Sequence, residues 1–205
     1  AAPGVKEILA VGKLCYEVRE RHYDLVVVDA EASGHIVAQI DAPRAIRELV
    51  HVGMVREQTE WMLAILADPA RTGVVVVTTP EEMPVTETVE LVRSVQQSTP
   101  VDVAAVVANR MLPRWFDGAE QEVFDLVASP AAAAALAELA GAKVTTVLQA
   151  ALLAAARRVG AEQHLARMRE QLPAGIAVVE VPEMFSRSGG RRVVSLAGEA
   201  LGRVL

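Results

Sequence analysis

Among the residues of this chain that could do chemistry, Asp29 comes first, because it directly follows the apolar run Leu25–Val28. An unbroken, β-branched apolar run of that length is typical of a strand buried on both faces of a parallel sheet. Ligands of open α/β sheets bind at the carboxyl ends of the strands, where Asp29 would lie. A carboxylate there can hold a magnesium ion through water beside phosphates, or it can simply cap the next turn. The residues alone leave both interpretations open.

Polar residues also follow later apolar runs. Three such runs predict strands, at residues 74–79, 101–108 and 176–181. Asn109 and Arg110 follow the second of these strands, and the side-chain amide of Asn109 has both a donor and an acceptor, which suits the edge of a purine. Asn also ends strands in turns, which is the alternative here. Residues 182–185 follow the last strand and either face a ligand with their main chain or only connect the strand to a helix.

The segment from Asp29 to His35 reads DAEASGH. It resembles the switch II segment of the ArsA family of anion-transporting ATPases and its members that target tail-anchored proteins, usually Asp-Thr/Ala-Pro-Thr/Ser-Gly-His-Thr. This chain differs from that pattern at Glu31, where the family has Pro, and at Ile36, where it has Thr. The strand and loop at residues 74–82 and the Asn109-Arg110 pair resemble the corresponding family segments. The resemblance extends over nearly all of this chain and the carboxyl-terminal part of a family member.

The resemblance implies an ATP-binding, ATP-hydrolysing subunit with an α/β fold of the P-loop NTPase type, a three-layer, mostly parallel sheet flanked by helices. Asp29 would organise Mg²⁺ through water, and Gly34 and His35 would lie in the moving switch. The implied adenine-binding residues are Asn109, Arg110, Pro182, Glu183, Met184 and Phe185. Residues 1–205 would form the carboxyl-terminal part of one ATPase domain, with helical insertions at about 41–71 and 111–174.

A phosphate-binding loop is missing from the sequence. Neither Gly-x-x-x-x-Gly-Lys-Ser/Thr nor the family's Lys-Gly-Gly-x-Gly-Lys occurs, and the three lysines (Lys6, Lys13 and Lys143) stand outside Gly-rich turns. The switch I aspartate of the family is also absent. We therefore expect a fragment that is incomplete without an amino-terminal P-loop segment and inactive alone. Comparing its intact mass with the open reading frame tests this expectation.

The composition of the chain limits the classes of partner that it is expected to bind. The net charge of −6 argues against a nucleic-acid binder. No stretch of about 18 apolar residues predicts a membrane span, and a single cysteine, Cys15, together with the lack of a secretory signal predicts a cytoplasmic protein. The four histidines lack ligand spacing, so no zinc site is expected. The resemblance implies a homodimer or a heterodimer with a homologous ATPase, and a membrane-protein client or membrane partner.

Periodicity predicts the helices. A helix is predicted within residues 1–21, and Cys15 lies on its apolar face. Pro43 is expected to open a short helix. A third helix, after Pro84, places four valines on one face. Later helices are predicted at residues 116–127, 131–140, 144–159 and 162–171, with a break at Gly160, before a closing helix that buries Val193, Ala197, Ala200 and Val204. The predicted helices at residues 144–159 and 162–171 carry four arginines that we interpret as a face exposed to solvent: Arg157, Arg158, Arg167 and Arg169.

Two other functions stay open at this point. One is a catalytically degenerate subunit that pairs with an active homologue, which Glu31 and Ile36 favour. The other is an unrelated flavodoxin-like α/β binding module in which Asp29 caps a turn. That module would need a sheet whose edges are complete within this chain.

Overall fold

The computed structural model describes residues 5–30, 33–50, 52–185 and 190–202. Helices and strands follow the order α1 (Val5–Arg19), α2 (Ser33–Leu49), α3 (Met54–Leu66), β1 (Val74–Thr78), α4 (Glu82–Ser98), β2 (Val103–Met111), α5 (Gly118–Val127), α6 (Pro130–Ala140), α7 (Lys143–Gln171), β3 (Ala177–Pro182) and α8 (Arg191–Gly202). The alternation of helices and strands is that of the α/β class.

The three strands form one parallel sheet in the order β1-β2-β3, flanked by helices, which confirms the predicted fold class. Strand β2 is central, and its Val106 and Ala108 are fully buried. Strand β1 was expected to be buried on both faces, but its burial alternates, with Val75 54% and Val77 62% exposed. The expectation fails because β1 has only one neighbouring strand among the described residues and one of its faces is uncovered.

The prediction of a buried strand at Leu25–Val28 is wrong for this structure. The segment has no strand assignment, and Leu25 and Val27 are 77% and 82% exposed. A strand forms only when a neighbouring strand accepts and donates its main-chain hydrogen bonds. Nothing in the described ranges does so for residues 25–28, so their β-propensity is not realised.

Strand β2 extends further than predicted. Residues 109 and 110 lie inside the strand rather than after it, since β2 ends at Met111. Arg110 has a φ of 62°, in the left-handed region that residues with a Cβ rarely adopt. The amide of Glu183, just after β3, donates a 2.8 Å hydrogen bond to the carbonyl of Met111. The pairing of β2 and β3 therefore continues to the very ends of both strands.

The first of two compact units contains residues 1–76, 86–106 and 172–177. Helices α1, α2 and α3 pack against one another around a shared apolar core that includes Val11, Cys15, Met62 and Ile65. The prediction that Cys15 is a core thiol is confirmed, because only 3% of it is exposed.

Helix α2 differs from the prediction at Pro43, which lies inside the helix instead of opening one. A proline in a helix interior removes a hydrogen bond and costs about 3 kcal/mol. Pro43 is fully buried, and its neighbours Ile40 and Ala42 are buried as well, so packing offsets that cost. Ile36, on the same helix, packs against the core of the first unit.

The second unit contains residues 77–85, 107–171 and 178–205. Helix α6 packs on α7 and α5 on α6. Helix α7 is continuous from Lys143 to Gln171, so the predicted break at Gly160 does not occur. A glycine costs a helix only about 1 kcal/mol relative to alanine. The burial of Leu165 and Met168 in the next turns is enough to carry the helix through it.

Helix α4 confirms its predicted face, because Val85, Val89, Val92 and Val95 are all buried. Helix α8 does not bury the residues predicted for it: Val193, Ala197 and Ala200 are only partly buried, and Val204 lies outside the described residues. Val194 and Leu196 of the same helix are exposed as well, so packing covers the apolar side chains of α8 only in part.

Within the described ranges, no single helix is long and apolar enough to cross a membrane. Helices α5 and α6 together reach the required length and hydropathy, but they are bent by 75° at their junction.

Candidate functional site

A cavity of about 570 Å³ lies in the second unit, at the carboxyl ends of the strands. Its lining comes from the segment after β1 and the first residue of α4 (Thr79, Pro80, Glu81 and Glu82), from the end of β2 and the residue after it (Arg110 and Leu112), from the residue after β3 (Glu183) and from helix α7 (Arg157, Gly160, Ala161 and His164). Ligands of open α/β sheets bind outside the carboxyl ends of the strands. The volume is in the range of small-molecule sites.

Arg110 and Glu183 meet at this cavity. Nε of Arg110 donates a 2.7 Å hydrogen bond to Oε2 of Glu183. This bond and the charge of Glu183 raise the pKa of Arg110 above its ordinary value, and the charge of Glu81 adds to the shift. The two residues are 73 positions apart, and the pairing of β2 with β3 brings them together. Two of the adenine-binding residues implied by the resemblance thus share one site.

Asn109 is placed differently. Its side-chain Oδ1 accepts a 2.9 Å hydrogen bond from the main-chain N–H of Arg110, and Asn109 does not line the cavity. The residue that donates this bond, Arg110, is the one with the left-handed backbone. Strained residues often lie at functional sites, where the surrounding contacts hold them.

The remaining implied adenine-binding residues follow β3. Pro182 ends the strand, and Met184 is partly buried. Phe185 is exposed, and its ring centroid is 6.1 Å from that of Trp115. The main-chain N–H of Glu183 is already bonded to the carbonyl of Met111, so the side chain of Glu183 is the part of this residue that can interact with a ligand in the cavity.

Three of the four arginines interpreted as a solvated face, Arg157, Arg167 and Arg169, are exposed, and the interpretation is wrong for Arg158. The side chain of Arg158 is only 16% exposed. Its Nη1 donates to the carbonyl of Leu112 at 2.7 Å, and its Nε donates to Oε1 of Glu162 at 2.8 Å. Glu162 also accepts a 2.7 Å bond from Nε of Arg114. Sequence alone could not separate Arg158 from its neighbour Arg157, since only the fold shows which one meets a carbonyl.

The electrostatics of this wall follow from those bonds. The hydrogen bond from Arg114 lowers the pKa of Glu162, and the bond and charge of Arg158 contribute further. In return, Glu162 raises the pKa of Arg114. Arg158 also approaches Oε2 of Glu180 on β3 at 3.6 Å, and Arg169 donates to Oε1 of the same carboxylate at 2.9 Å. The network connects α7 to β3 and to the residues that leave β2.

The predicted switch residues belong to the first unit. Asp29 and Gly34 are exposed, and His35 lies exposed in the first turn of α2; Glu31 is outside the described residues. Nowhere in the described ranges do three or more His, Cys, Asp or Glu residues gather as a metal site. Mg²⁺ keeps several waters and needs only one or two carboxylates beside phosphate oxygens, so an exposed Asp29 fits the role of a water-mediated ligand.

The fold defines a class of protein: an α/β protein of the P-loop NTPase type, with a cavity at the carboxyl ends of its strands. The family follows from sequence comparison. Residues 37–121 match the model of the anion-transporting ATPase family, and this match supports membership of the ArsA family. The match includes Asn109 and Arg110 and begins two residues after His35, and it disfavours an unrelated flavodoxin-like module.

Individual relatives agree with the family. The chain is 31% identical over 118 residues to ATPase BagA of Mycobacterium tuberculosis, an alignment that covers 55% of this chain and 34% of that protein. It is 24% identical over 120 residues to a Halobacterium salinarum protein provisionally named as an arsenical pump-driving ATPase, covering 55% of this chain and 19% of that protein. The chain thus spans about a third of the length of the mycobacterial relative.

Proposed function

We propose that this chain provides the adenine side of the nucleotide site in an ATPase of the anion-transporting class. The observation that supports the proposal is the cavity at the carboxyl ends of the strands, where Arg110, within the family match, is paired with Glu183. A site with one cation and one carboxylate held against each other offers both a donor and an acceptor edge to a purine.

In this proposal Arg110, Glu183 and the neighbouring Pro182, Met184 and Phe185 surround the base, and Asn109 either contacts adenine or holds Arg110 in its left-handed conformation. Asp29 would bind Mg²⁺ through water, and the ion would neutralise charge on the phosphates of bound ATP. Gly34 and His35 would lie in the segment that responds to the γ-phosphate.

The same proposal extends to assembly. The protein would act as a homodimer or with a homologous ATPase, and its client would be an anion or a membrane protein. A phosphate-binding loop would have to come from outside these 205 residues, since the sequence holds none. Without that loop we expect no hydrolysis by the chain alone, because the phosphates need its backbone N–H groups and lysine.

Calorimetric titration of the purified protein with ATP, with and without Mg²⁺, tests the proposal. Glu183→Gln and Asn109→Ala are compared with Glu138→Gln, a change at an exposed glutamate of helix α6. Loss of one hydrogen bond to the base, about 1 kcal/mol, should weaken ATP binding roughly 5-fold in the site variants and leave the Glu138 variant unchanged.

A second experiment tests whether Asp29 binds Mg²⁺. Asp29→Asn should remove the effect of Mg²⁺ on ATP affinity, whereas Asp24→Asn, also exposed, should keep it. A protein that ignores ATP in the presence and absence of Mg²⁺ would contradict the proposed function. ATP binding that is equal in all the variants would show that the nucleotide occupies a different site.

A further inference from the structure

We propose that His164 donates a hydrogen bond from its Nε2 to an acceptor nitrogen of the purine ring of bound ATP. The proposal rests on the function proposed above and adds a specificity-determining residue on α7, an element that the sequence analysis left without a site role. It is carried by the tautomer of the ring and by its place in the cavity wall.

The tautomer of His164 follows from its neighbour. Nη2 of Arg167 lies 2.7 Å from Nδ1 of His164. A guanidinium has only donors, so Nδ1 must be the acceptor in this pair and carries no hydrogen. In this tautomer the ring hydrogen is on Nε2, which becomes a donor. His164 therefore offers a ligand one N–H and no ring acceptor, because its other nitrogen is already bonded.

The position of His164 follows from the helix. Arg157, Gly160, Ala161 and His164 all line the cavity and are spaced three or four residues apart, so one face of α7 forms this wall. A Cβ added to Gly160 would meet no atom within 4 Å, so the wall is recessed there, one turn before His164. Space for a ring system and a fixed donor thus lie side by side.

The helix itself is held in place. Leu165, the residue after His164, is fully buried, and Met168 is fully buried one turn later. Earlier in the same helix, before Ala161, Arg158 donates a hydrogen bond to the carbonyl of Leu112. Contacts before and after His164 thus hold the backbone of α7 at this position in place. A donor held in this way favours ligands that present an acceptor to it and disfavours those that present a donor.

The chemistry favours a ring nitrogen of adenine. Purine ring nitrogens are acceptors, and each replacement of nitrogen by C–H leaves the donor opposite it unpaired. The test therefore uses ATP and three analogues, 1-deaza-ATP, 3-deaza-ATP and 7-deaza-ATP, with calorimetric affinities for the wild-type protein and for His164→Leu and His164→Gln. The Gln variant keeps an N–H near the position of Nε2, and the Leu variant removes it.

We expect one of the three analogues to bind the wild-type protein roughly 5- to 10-fold more weakly than ATP, and the same analogue to bind the Leu variant as well as ATP does. The Leu variant should bind ATP itself roughly 5- to 10-fold more weakly, and the Gln variant within about 2-fold of wild type. A merely structural role of His164 would weaken all four nucleotides equally.

The outcomes separate the two proposals. Gly160→Phe, which fills the recess one turn before His164, should abolish ATP binding if the cavity is the nucleotide site. If the wild-type protein binds no ATP, the proposed function fails and the role of His164 fails with it. If ATP binds but no deaza analogue differs from it on the wild-type protein, the role of His164 alone is overturned, and this result does not depend on the folding of any variant.

Discussion

Nη1 of Arg158 donates a 2.7 Å hydrogen bond to the main-chain carbonyl of Leu112. The bond joins helix α7 to the residues that leave strand β2, across 46 positions of sequence. Leu112 lines the cavity and Arg158 lies beside its wall. Neither residue was assigned a site role from the sequence. Together with the ion pairs of Arg158 and Arg169 to Glu180, this bond holds the long helix beside the strand ends in the second unit.

Replacing Arg158 by methionine should destabilise the protein. The change removes the donor to the carbonyl of Leu112 and one of the donors to Glu162; both acceptors are partly buried, and the loss should cost about 1 kcal/mol. Urea denaturation followed by circular dichroism measures the loss. Arg157→Met, at the exposed neighbouring position, is the matched control and should stay within about 0.5 kcal/mol of wild type. Equal effects of the two changes would show that the Leu112 contact does not stabilise the fold.

Leu165→Ala should cost about 2–5 kcal/mol, because the side chain is fully buried and its loss leaves a cavity. The control is the same substitution at Leu139, which is 85% exposed at the end of helix α6 and should change the free energy of unfolding by less than about 0.5 kcal/mol. Chemical denaturation of both variants under one set of conditions gives the comparison. A small loss for Leu165→Ala would mean that α7 does not pack as described.

The thiol of Cys15 should be unreactive in the folded protein. Burial raises the pKa of Cys15 to about 11, and the thiolate is the reactive form. Reaction with a chromogenic disulfide reagent at pH 8 should be slow in buffer and fast in urea. The ordinary value is 9.0, so between that pH and about 11 the unfolded state ionises first and stability should fall as pH rises.

A Cys15→Ala variant should lose that alkaline dependence of stability, since it has no thiol to ionise. Equal rates of thiol modification in the native and unfolded protein would contradict the buried position of Cys15.

Glu162 should contribute to stability in an acid-sensitive way. Its pKa is lowered, first by the hydrogen bond from Arg114 and then by Arg158. A lowered pKa means that the contribution is present above the unfolded value, close to 4.5, and is lost as pH falls through the folded value. Glu162→Gln should therefore flatten the loss of stability below that pH, as measured by denaturation at stepwise lower pH.

Glu138→Gln, at an exposed position of α6, serves as the control and should keep the acid dependence of the wild-type protein. If both variants followed the wild-type curve, the ion pairs of Glu162 would not be maintained in solution.

Local patterns predicted those parts of the protein that depend on local physics. The stripe of α1, the buried valines of α4 and the three strands of the sheet follow from the spacing of apolar side chains, and the family resemblance follows from short segments such as Asn109-Arg110. The resemblance, rather than local pattern, implied Arg110 and Glu183 as residues of one adenine site.

Other features were decided only by tertiary contacts. Leu25–Val28 has the composition of a strand, but a strand also needs a neighbour, and the described residues provide none. Gly160 looks like a helix breaker, yet packing of Leu165 and Met168 continues α7 through it. The donor tautomer of His164 depends on Arg167, and the burial of Arg158 depends on the distant carbonyl of Leu112. Sequence determines which side chains can form such contacts, whereas the packing of distant segments selects which of them do, because hydrogen bonds and burial depend on position in space.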